Sequence, residues 1–147
     1  MDRGKSGTAI HLACDARAMP LGATVTGANA NDGVQAKAVL DALVVRPPAP
    51  ERPAAAADER SRPTVHADGA YQNGPTRQRI ADAGFRLRPV RRGRKGVGKV
   101  RQAVERCHNL LAQFGRLRTR LDRTRRRYLN WVEMAACLIF IRSVFVR

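Results

Sequence analysis

The stretch from residue 8 to residue 33 reads TAIHLACDARAMPLGATVTGANANDG, and it decides the fold class. Apolar side chains alternate along Thr8–Cys14, and Leu21–Thr26 is a second short run with β-branched residues, so each is predicted to be a strand. Between them, the segment 15–20 has the composition of a turn. The pair therefore predicts an antiparallel hairpin, and the Asn- and Asp-rich segment at 29–33 predicts the start of a helix.

Beyond the hairpin, helix and strand signals alternate. A helix is predicted over Val34–Val44, and a short strand at Thr64–Ala67 ends at Asp68. A second helix is predicted between Gly74 and Gly84, because proline near the first turn and glycine after the last turn are favoured at helix ends. The first helix is expected to bury three apolar side chains: Val39, Leu40 and Leu43.

The last third of the chain predicts one more strand and two helices. Phe85–Val90 is a strand at a sheet edge or one cut short by Pro89, and a helix is predicted from Gly98 to about Arg120. The apolar stripe of that helix comprises Val100, Val104, Cys107, Leu111, Phe114 and Leu121. Tyr128–Val146 predicts a final helix that is apolar around most of its circumference and therefore largely buried. The order β-β-α-β-α-β-α-α predicts an α/β fold with a mixed sheet.

Length and composition limit the number of domains. A chain of 147 residues, 44% of them apolar, predicts one domain at most, spanning 1–147. The segment 47–63, PPAPERPAAAADERSRP, combines prolines with charges and is predicted to be a loop within that domain. Three scattered cysteines without a CxxC spacing exclude a disulfide framework. With no secretory signal in the first residues, the expected location is the cytoplasm.

Basic residues dominate the second half of the chain. The sequence has 28 Lys and Arg against 12 Asp and Glu, a formal net charge of +16. Residues 1–85 hold 10 basic and 9 acidic side chains, whereas residues 86–147 hold 18 and 3. This excess favours a polyanionic partner, either nucleic acid or an anionic membrane surface. The apolar stretch 129–146 contains polar and charged residues, so a buried helix is expected there and no membrane partner.

Two acidic residues are candidates for chemistry. Asp68 follows a strand, and strand ends are where α/β folds collect functional groups. The alternative is a turn aspartate that binds its own backbone. Glu105 lies off the apolar stripe of the long helix and shares a face with Arg101, so a solvated ion pair is the alternative there.

Seven arginines crowd into twelve residues near the second candidate. They are Arg116, Arg118, Arg120, Arg123, Arg125, Arg126 and Arg127. One interpretation is a solvated helix end. The other is a surface for nucleic-acid phosphates, which the guanidinium group binds in a planar, bidentate manner. Seven arginines so close together repel one another unless an anion lies nearby, which favours the second interpretation.

Several short motifs, in this order along the chain, resemble the catalytic core of bacterial insertion-sequence transposases of the DDE type. Any one motif is weak, but the ordered set, from Asp2 to about Val144, is specific. The motifs are DRGKSGT at 2–8, HL at 11–12 with Asp15, PLG at 20–22, TGAN at 26–29 with Asp32, HADGAY at 66–71, VERCH at 104–108, and Phe114 with RLRTR at 116–120.

The resemblance implies an RNase H-like fold, in which a mixed sheet is flanked by helices. It also implies three carboxylates that hold two divalent ions, Mg²⁺ or Mn²⁺, in the complete enzyme. Asp68 matches the second carboxylate and Glu105 the third, which makes both expected catalytic and metal-binding residues. The expected partner is double-stranded DNA, at insertion-sequence ends and at the target. The residues expected to bind it are Arg101, Arg106, Arg116, Arg118 and Arg120.

One departure from the family pattern affects the expected activity. The first catalytic aspartate of the family lies on a strand upstream of the motifs, and no residue here matches it. The sequence is therefore expected to be a C-terminal part, with the first strand missing and little activity alone. A further expected partner is the upstream transposase half or another transposase subunit.

Two other functions remain open at this point. The chain could be a non-catalytic basic module that binds DNA, or a regulator of the full transposase. It could also bind RNA, although no RNA-binding signature is present.

Overall fold

The computed structural model describes residues 7–47, 61–90 and 97–145. The chain forms β1 (Thr8–Cys14), β2 (Pro20–Gly27), α1 (Asp32–Asp41), β3 (Thr64–Ala67), α2 (Gly74–Asp82), β4 (Arg86–Pro89), α3 (Val97–Ala112), α4 (Gly115–Arg118) and α5 (Arg125–Phe145). A single turn of 3₁₀ helix, Gly69–Tyr71, lies between β3 and α2. The predicted loop at 47–63 and the basic loop at 91–98 lie largely outside the described residues.

The predicted hairpin is confirmed. β1 and β2 pair antiparallel, with Thr8 opposite Gly27 and a register shift at Ala13/Cys14. The turn is closed by the Asp15 carboxylate, which accepts hydrogen bonds from the backbone N–H groups of Arg17 and Met19 at 2.9 and 2.8 Å. An aspartate that binds its own following backbone is a common turn former.

Helix α1 begins two residues earlier than predicted because Asn31 caps it. The Asn31 side chain accepts a hydrogen bond from the Gly33 N–H, which satisfies one of the unpaired donors of the first turn. The helix then packs on the hairpin at a glycine. A Cβ at Gly22 would lie 2.9 Å from the carbonyl oxygen of Ala42, so only glycine permits this approach.

A βαβ unit follows. β3 and β4 pair in parallel, with Val65 opposite Leu87, and α2 crosses between them. Asn73 caps α2 by accepting from the Thr76 N–H at 2.9 Å. Gly84, with φ of 87°, ends it in the left-handed conformation that glycine tolerates. The predicted limits of this helix and of β3 are therefore confirmed.

The expected single mixed sheet is present only in part. The described residues contain both antiparallel and parallel pairing, but in two separate two-stranded sheets, β1–β2 and β3–β4. No described strand lies between them, so no backbone hydrogen bonds join the two pairs. The architecture is a mixed α/β arrangement of small sheets and helices, which is consistent with an RNase H-like fold.

Two hydrophobic clusters hold these elements together. One joins β2 to the last three helices through Val25, Leu111, Leu117, Tyr128, Val132, Ala135 and Ile139. The other joins α1 to the βαβ unit through Ala36, Leu40, Leu43, Ile80 and Phe85. The three residues predicted to be buried by the first helix, Val39, Leu40 and Leu43, are all buried, and Leu43 lies just after the end of α1.

The prediction of one continuous helix from Gly98 to about Arg120 is wrong. The chain leaves the helix after Ala112, and Phe114 adopts an extended backbone before the short helix α4. This break turns the chain so that Leu117 becomes buried and its carbonyl accepts a hydrogen bond of 2.8 Å from the Tyr128 hydroxyl. Two residues of the predicted stripe, Val104 and Leu121, are exposed, while Cys107 and Leu111 are buried as predicted.

The prediction that the final helix is largely buried is also wrong. By length and composition α5 is the one helix in the described part of the chain that could cross a membrane, with a mean hydropathy of 1.3 over its best window. Only 22% of that window is buried. The core helix of a soluble protein can have the same length and apolar composition as a membrane span. Helix α5 packs along one side against β2.

Candidate functional site

The first candidate residue, Asp68, lies where the sequence predicted it. It follows the last residue of β3, is exposed, and directly precedes the 3₁₀ turn Gly69–Tyr71. Its backbone carbonyl accepts a hydrogen bond from the Tyr71 N–H at 3.2 Å, which starts the turn. β3 therefore presents the Asp68 carboxylate at the carboxyl end of a parallel strand pair, where α/β folds place their sites.

Tyr71 lies between this aspartate and a second one. Burial, together with the charges of the Asp32 and Asp68 carboxylates, raises the pKa of the Tyr71 hydroxyl to about 12. Helix α1 also packs against the turn Gly69–Tyr71, so α1 and the end of β3 are neighbours. The sequence placed Asp32 in a motif but gave no reason to set it near Asp68.

His11 fixes the position of that second aspartate. Its ring is buried, with Nε2 2.6 Å from Thr26 Oγ1 and Nδ1 3.2 Å from Asp32 Oδ1. A carboxylate can only accept, so Nδ1 carries the proton in this contact. The side chain thus ties both strands of the hairpin to the first turn of α1, which is a structural role.

The second candidate, Glu105, lies on the solvent side of α3. Ala103, Cys107 and Leu111 face the interior, whereas Glu105 and Arg106 are exposed. The Cys107 thiol is hydrogen-bonded to Cys14 at the end of β1; this bond lowers the pKa of Cys14 and, with burial, raises that of Cys107. The buried side of α3 packs against β1, and Glu105 lies on the exposed side of the helix.

The described residues do not by themselves form a complete metal site. Among them, no group of three or more His, Cys, Asp and Glu side chains is placed to hold a metal ion. Asp68 and Glu105 provide carboxylate oxygens, the ligand type that hard divalent cations prefer. The donor chemistry of the two residues fits such an ion, but their number does not complete its coordination.

Two of the predicted DNA-binding arginines are held by contacts within the chain. The guanidinium group of Arg116 stacks 4.6 Å from the centre of the Trp131 ring and lies 3.5 Å from the Asp122 carboxylate. Arg120 donates to the Asp122 carbonyl at 3.0 Å, hydrogen-bonds Thr8 and lies over the Tyr128 ring. These contacts fix the segment between α4 and α5.

The other arginines of the series face solvent. Arg118 on α4 is exposed, as is Arg106 on α3, and so are four arginines at or just before the start of α5: Arg123, Arg125, Arg126 and Arg127. These four lie at the N-terminal end of a 21-residue helix, where the helix dipole is also positive. The result is a positive surface suited to an anion. The side chain of Arg101 lies outside what the structure describes.

Comparison with known proteins identifies the family to which the chain belongs. A model of the transposase DDE domain matches residues 1–140. The chain belongs to the DDE transposase family. It is 34% identical over 144 residues to a putative transposase for insertion sequence element IS402 from Burkholderia cepacia, and the match covers 94% of this chain and 64% of that protein. No solved structure matches the chain.

Family membership connects the chain to DNA transposition. DDE transposases bind DNA and generally use divalent metal ions, and they are generally soluble proteins. The DDE transposase chain spans less than two thirds of the length of its relative.

Proposed function

We propose that this DDE transposase chain forms part of the catalytic domain of an insertion-sequence transposase, which cleaves and joins DNA phosphodiesters at the ends of the element. The observation that carries the proposal is the family match through residues 1–140, which includes both candidate carboxylates. Asp68 at a strand end and Glu105 on the open side of a helix are exposed, as residues that meet a large substrate must be.

Asp68 and Glu105 are the proposed catalytic and metal-binding residues. Together with a third carboxylate they would hold two Mg²⁺ or Mn²⁺ ions, which polarise the scissile phosphate and stabilise the attacking and leaving oxygens. Carboxylates suit these ions because hard cations prefer oxygen ligands.

The third carboxylate is proposed to come from outside the 147 residues. Within the described residues, β1 pairs only with β2, and β3 pairs only with β4, so each pair has an open edge. One added strand between β1 and β3 would join them into one mixed sheet and bring its own aspartate beside Asp68. The 147-residue chain alone is therefore expected to cleave DNA poorly.

DNA is proposed to lie along the arginine surface. Arg106 and Arg118 have exposed guanidinium groups, and Arg101 lies one turn before Glu105. Arg116 and Arg120 belong to the same surface, where a phosphate would compete with their contacts to Asp122. Arginines in this position hold the phosphate backbone and set the register of the DNA without reading its sequence.

A trans-complementation assay tests the proposal. Labelled DNA that carries the element's end is incubated with Mg²⁺ and the 147-residue chain, with or without the polypeptide encoded directly upstream. Strand cleavage is expected only when both are present, and it should disappear with Asp68→Ala. Cleavage that persists in the Asp68→Ala variant would contradict the assignment of Asp68 to the metal site.

A regulatory DNA-binding module is the second candidate function. It is favoured by the 18 basic and 3 acidic residues of 86–147 and by the incomplete carboxylate set. In that case the chain binds DNA and lowers transposition when it is co-expressed with a complete transposase. Failure of any upstream polypeptide to restore cleavage, together with such inhibition, would favour the regulator.

A further inference from the structure

Two of the three cysteines meet where α3 packs against the hairpin. Cys14 is the last residue of β1, and Cys107 lies on the buried side of α3, which contacts this strand. The Cys107 side chain is completely buried and is hydrogen-bonded to the Cys14 thiol. The two residues are far apart in the sequence, so it is the fold that brings their sulfur atoms together.

The two thiols differ in their access to solvent. Cys14 is partly exposed, whereas Cys107 has no exposed surface. The thiolate is the reactive form of cysteine, and a neighbouring hydrogen-bond donor stabilises it. The contact with Cys107 accordingly lowers the pKa of the Cys14 thiol, although burial and the Asp15 carboxylate act in the opposite direction. A reagent in solution therefore meets Cys14 first, with a second thiol in contact behind it.

We propose that Cys14 and Cys107 form a site for thiol–disulfide exchange, at which a small disulfide of the glutathione class oxidises the pair to an intramolecular disulfide. Both sulfur atoms belong to described residues of this chain, so the bond requires no residue from another segment or polypeptide. The third cysteine, Cys137, is exposed on α5 and provides a single-thiol comparison.

The exchange takes place in two steps, each of which breaks one bond to sulfur and forms another. The Cys14 thiolate attacks one sulfur of oxidised glutathione, which gives a mixed disulfide and a glutathione thiolate that takes up a proton. Cys107 then passes its proton to the departing glutathione sulfur and attacks Cys14 Sγ. The Cys14–Cys107 bond forms and the second glutathione leaves. In total, two protein thiols are oxidised and one small disulfide is reduced to two thiols.

The bond would join β1 covalently to α3, the helix that carries Glu105. It would close a loop of about 90 residues, which restricts the unfolded chain and stabilises the folded one. Any effect of the bond on DNA cleavage rests on the proposed function. Formation of the bond does not, so its test can fail while the test of cleavage succeeds, and the reverse also holds.

Peptide mapping of the 147-residue chain with Cys137→Ser tests the bond. The protein is incubated with oxidised glutathione, the remaining thiols are alkylated, and monomeric protein is isolated and digested with trypsin. We expect a species that links peptide 6–17, which contains Cys14, to peptide 107–116, which contains Cys107. It should disappear after treatment with dithiothreitol. Recovery of the two peptides without the link would mean that the thiols only pack together, as buried cysteines often do, and would overturn the proposal.

Two single-thiol variants, both in the Cys137→Ser background, separate the roles of the two sulfur atoms. Cys107→Ala should accumulate the mixed disulfide with one glutathione, because the second thiol that displaces it is gone. Cys14→Ala should take up glutathione at least about ten-fold more slowly, since Cys107 is buried. Equal uptake by the two variants would contradict the assignment of Cys14 as the attacking thiol. The peptide map of the Cys137→Ser chain does not depend on the folding of either variant.

Thermal unfolding tests whether the bond fits the native packing. The oxidised Cys137→Ser chain should have a Tm roughly 10 °C above that of the same chain in dithiothreitol. The matched Cys14→Ala variant should unfold at the same temperature with and without oxidised glutathione. A bond that leaves the Tm unchanged or lowers it would show that the two sulfur atoms do not meet in the folded chain, and would contradict the proposal.

Discussion

At the scale of single residues, the polar contacts near Asp68 depend on a few side chains that other residue types cannot replace. Tyr71 is half-buried and close to two carboxylates, and His11 is buried between Thr26 and Asp32. His11 links the hairpin to the first turn of α1, and Tyr71 lies in the turn that follows β3. Substitutions of these residues are therefore expected to change the stability of the fold.

Tyr71 should titrate abnormally. Its pKa of about 12 in the folded chain exceeds the value of about 10 in an unfolded chain, so its contribution to stability is complete below about pH 10. That contribution is lost as pH rises from about 10 to 12. Absorbance titration of a Tyr128→Phe variant, in which Tyr71 is the only tyrosine, should show the raised pKa. Asp32→Asn should lower it, and a midpoint near 10 in the folded protein would contradict this description.

His11→Ala should lower the free energy of unfolding by about 1–3 kcal/mol, because it removes a buried hydrogen-bonded ring and leaves Thr26 without that partner. His66, on β3, is exposed, so His66→Ala is the matched control and should change stability by less than about 0.5 kcal/mol. Urea denaturation of both variants makes the comparison. Equal effects would show that His11 does not tie the hairpin to α1.

At the scale of elements, the packing of α1 on the hairpin depends on a missing side chain. A Cβ at Gly22 would lie 2.9 Å from the Ala42 carbonyl oxygen and 3.1 Å from the Leu43 Cα, both backbone atoms. Gly22→Ala should therefore destabilise the chain by about 1–3 kcal/mol through overpacking. At Gly98, in the first turn of α3, nothing lies within 4 Å, and Gly98→Ala should be neutral or stabilising by up to about 1 kcal/mol. Thermal unfolding distinguishes the two variants.

Local signals predicted most of the elements correctly. Alternation predicted β1 and β2, and the segment 29–33, Gly74 and Gly84 marked helix ends that depend on neighbouring residues only. The same signals predicted Asp68 at a strand end and Glu105 off the apolar stripe. All of these depend on a few consecutive side chains.

Contacts between distant residues were not predictable. The break at Phe114 depends on the burial of Leu117 under Tyr128, eleven residues later. The outer side of α5 is as apolar as its buried side, so composition gave no way to tell which side packs on β2. Strand order could not be predicted for the same reason, because no local signal in β1 or β3 indicates whether another strand lies between them.

At the scale of the whole molecule, charge is the dominant property. The arginines of 116–127 precede or begin α5, the longest helix among the described residues, and Arg116 and Arg120 contact Asp122, Trp131 and Tyr128. These contacts hold the segment from which the exposed arginines project. A surface of this kind favours DNA without selecting its sequence.

DNA affinity should therefore fall steeply with salt. Binding to a duplex should weaken linearly on a plot of log affinity against log salt, with a slope of about −0.9 for each phosphate contacted. Arg118→Ala and Arg126→Ala should each reduce the slope by about one contact. Lys37→Ala is the control, since Lys37 pairs with Asp41 on α1. Fluorescence anisotropy makes the measurement, and unchanged slopes for the arginine variants would place the DNA elsewhere.

Cleavage by paired carboxylate variants tests the central claim most directly. The chain is joined to the polypeptide encoded upstream and given DNA with the element's end and Mg²⁺. Asp68→Asn and Glu105→Gln are then compared with the exposed controls Asp82→Asn and Glu133→Gln. Loss of a metal-binding carboxylate should lower the cleavage rate at least about a thousand-fold, or about 4 kcal/mol, while DNA binding persists and the controls cleave normally. Equal rates in all four variants would contradict the assignment of Asp68 and Glu105 to the catalytic site.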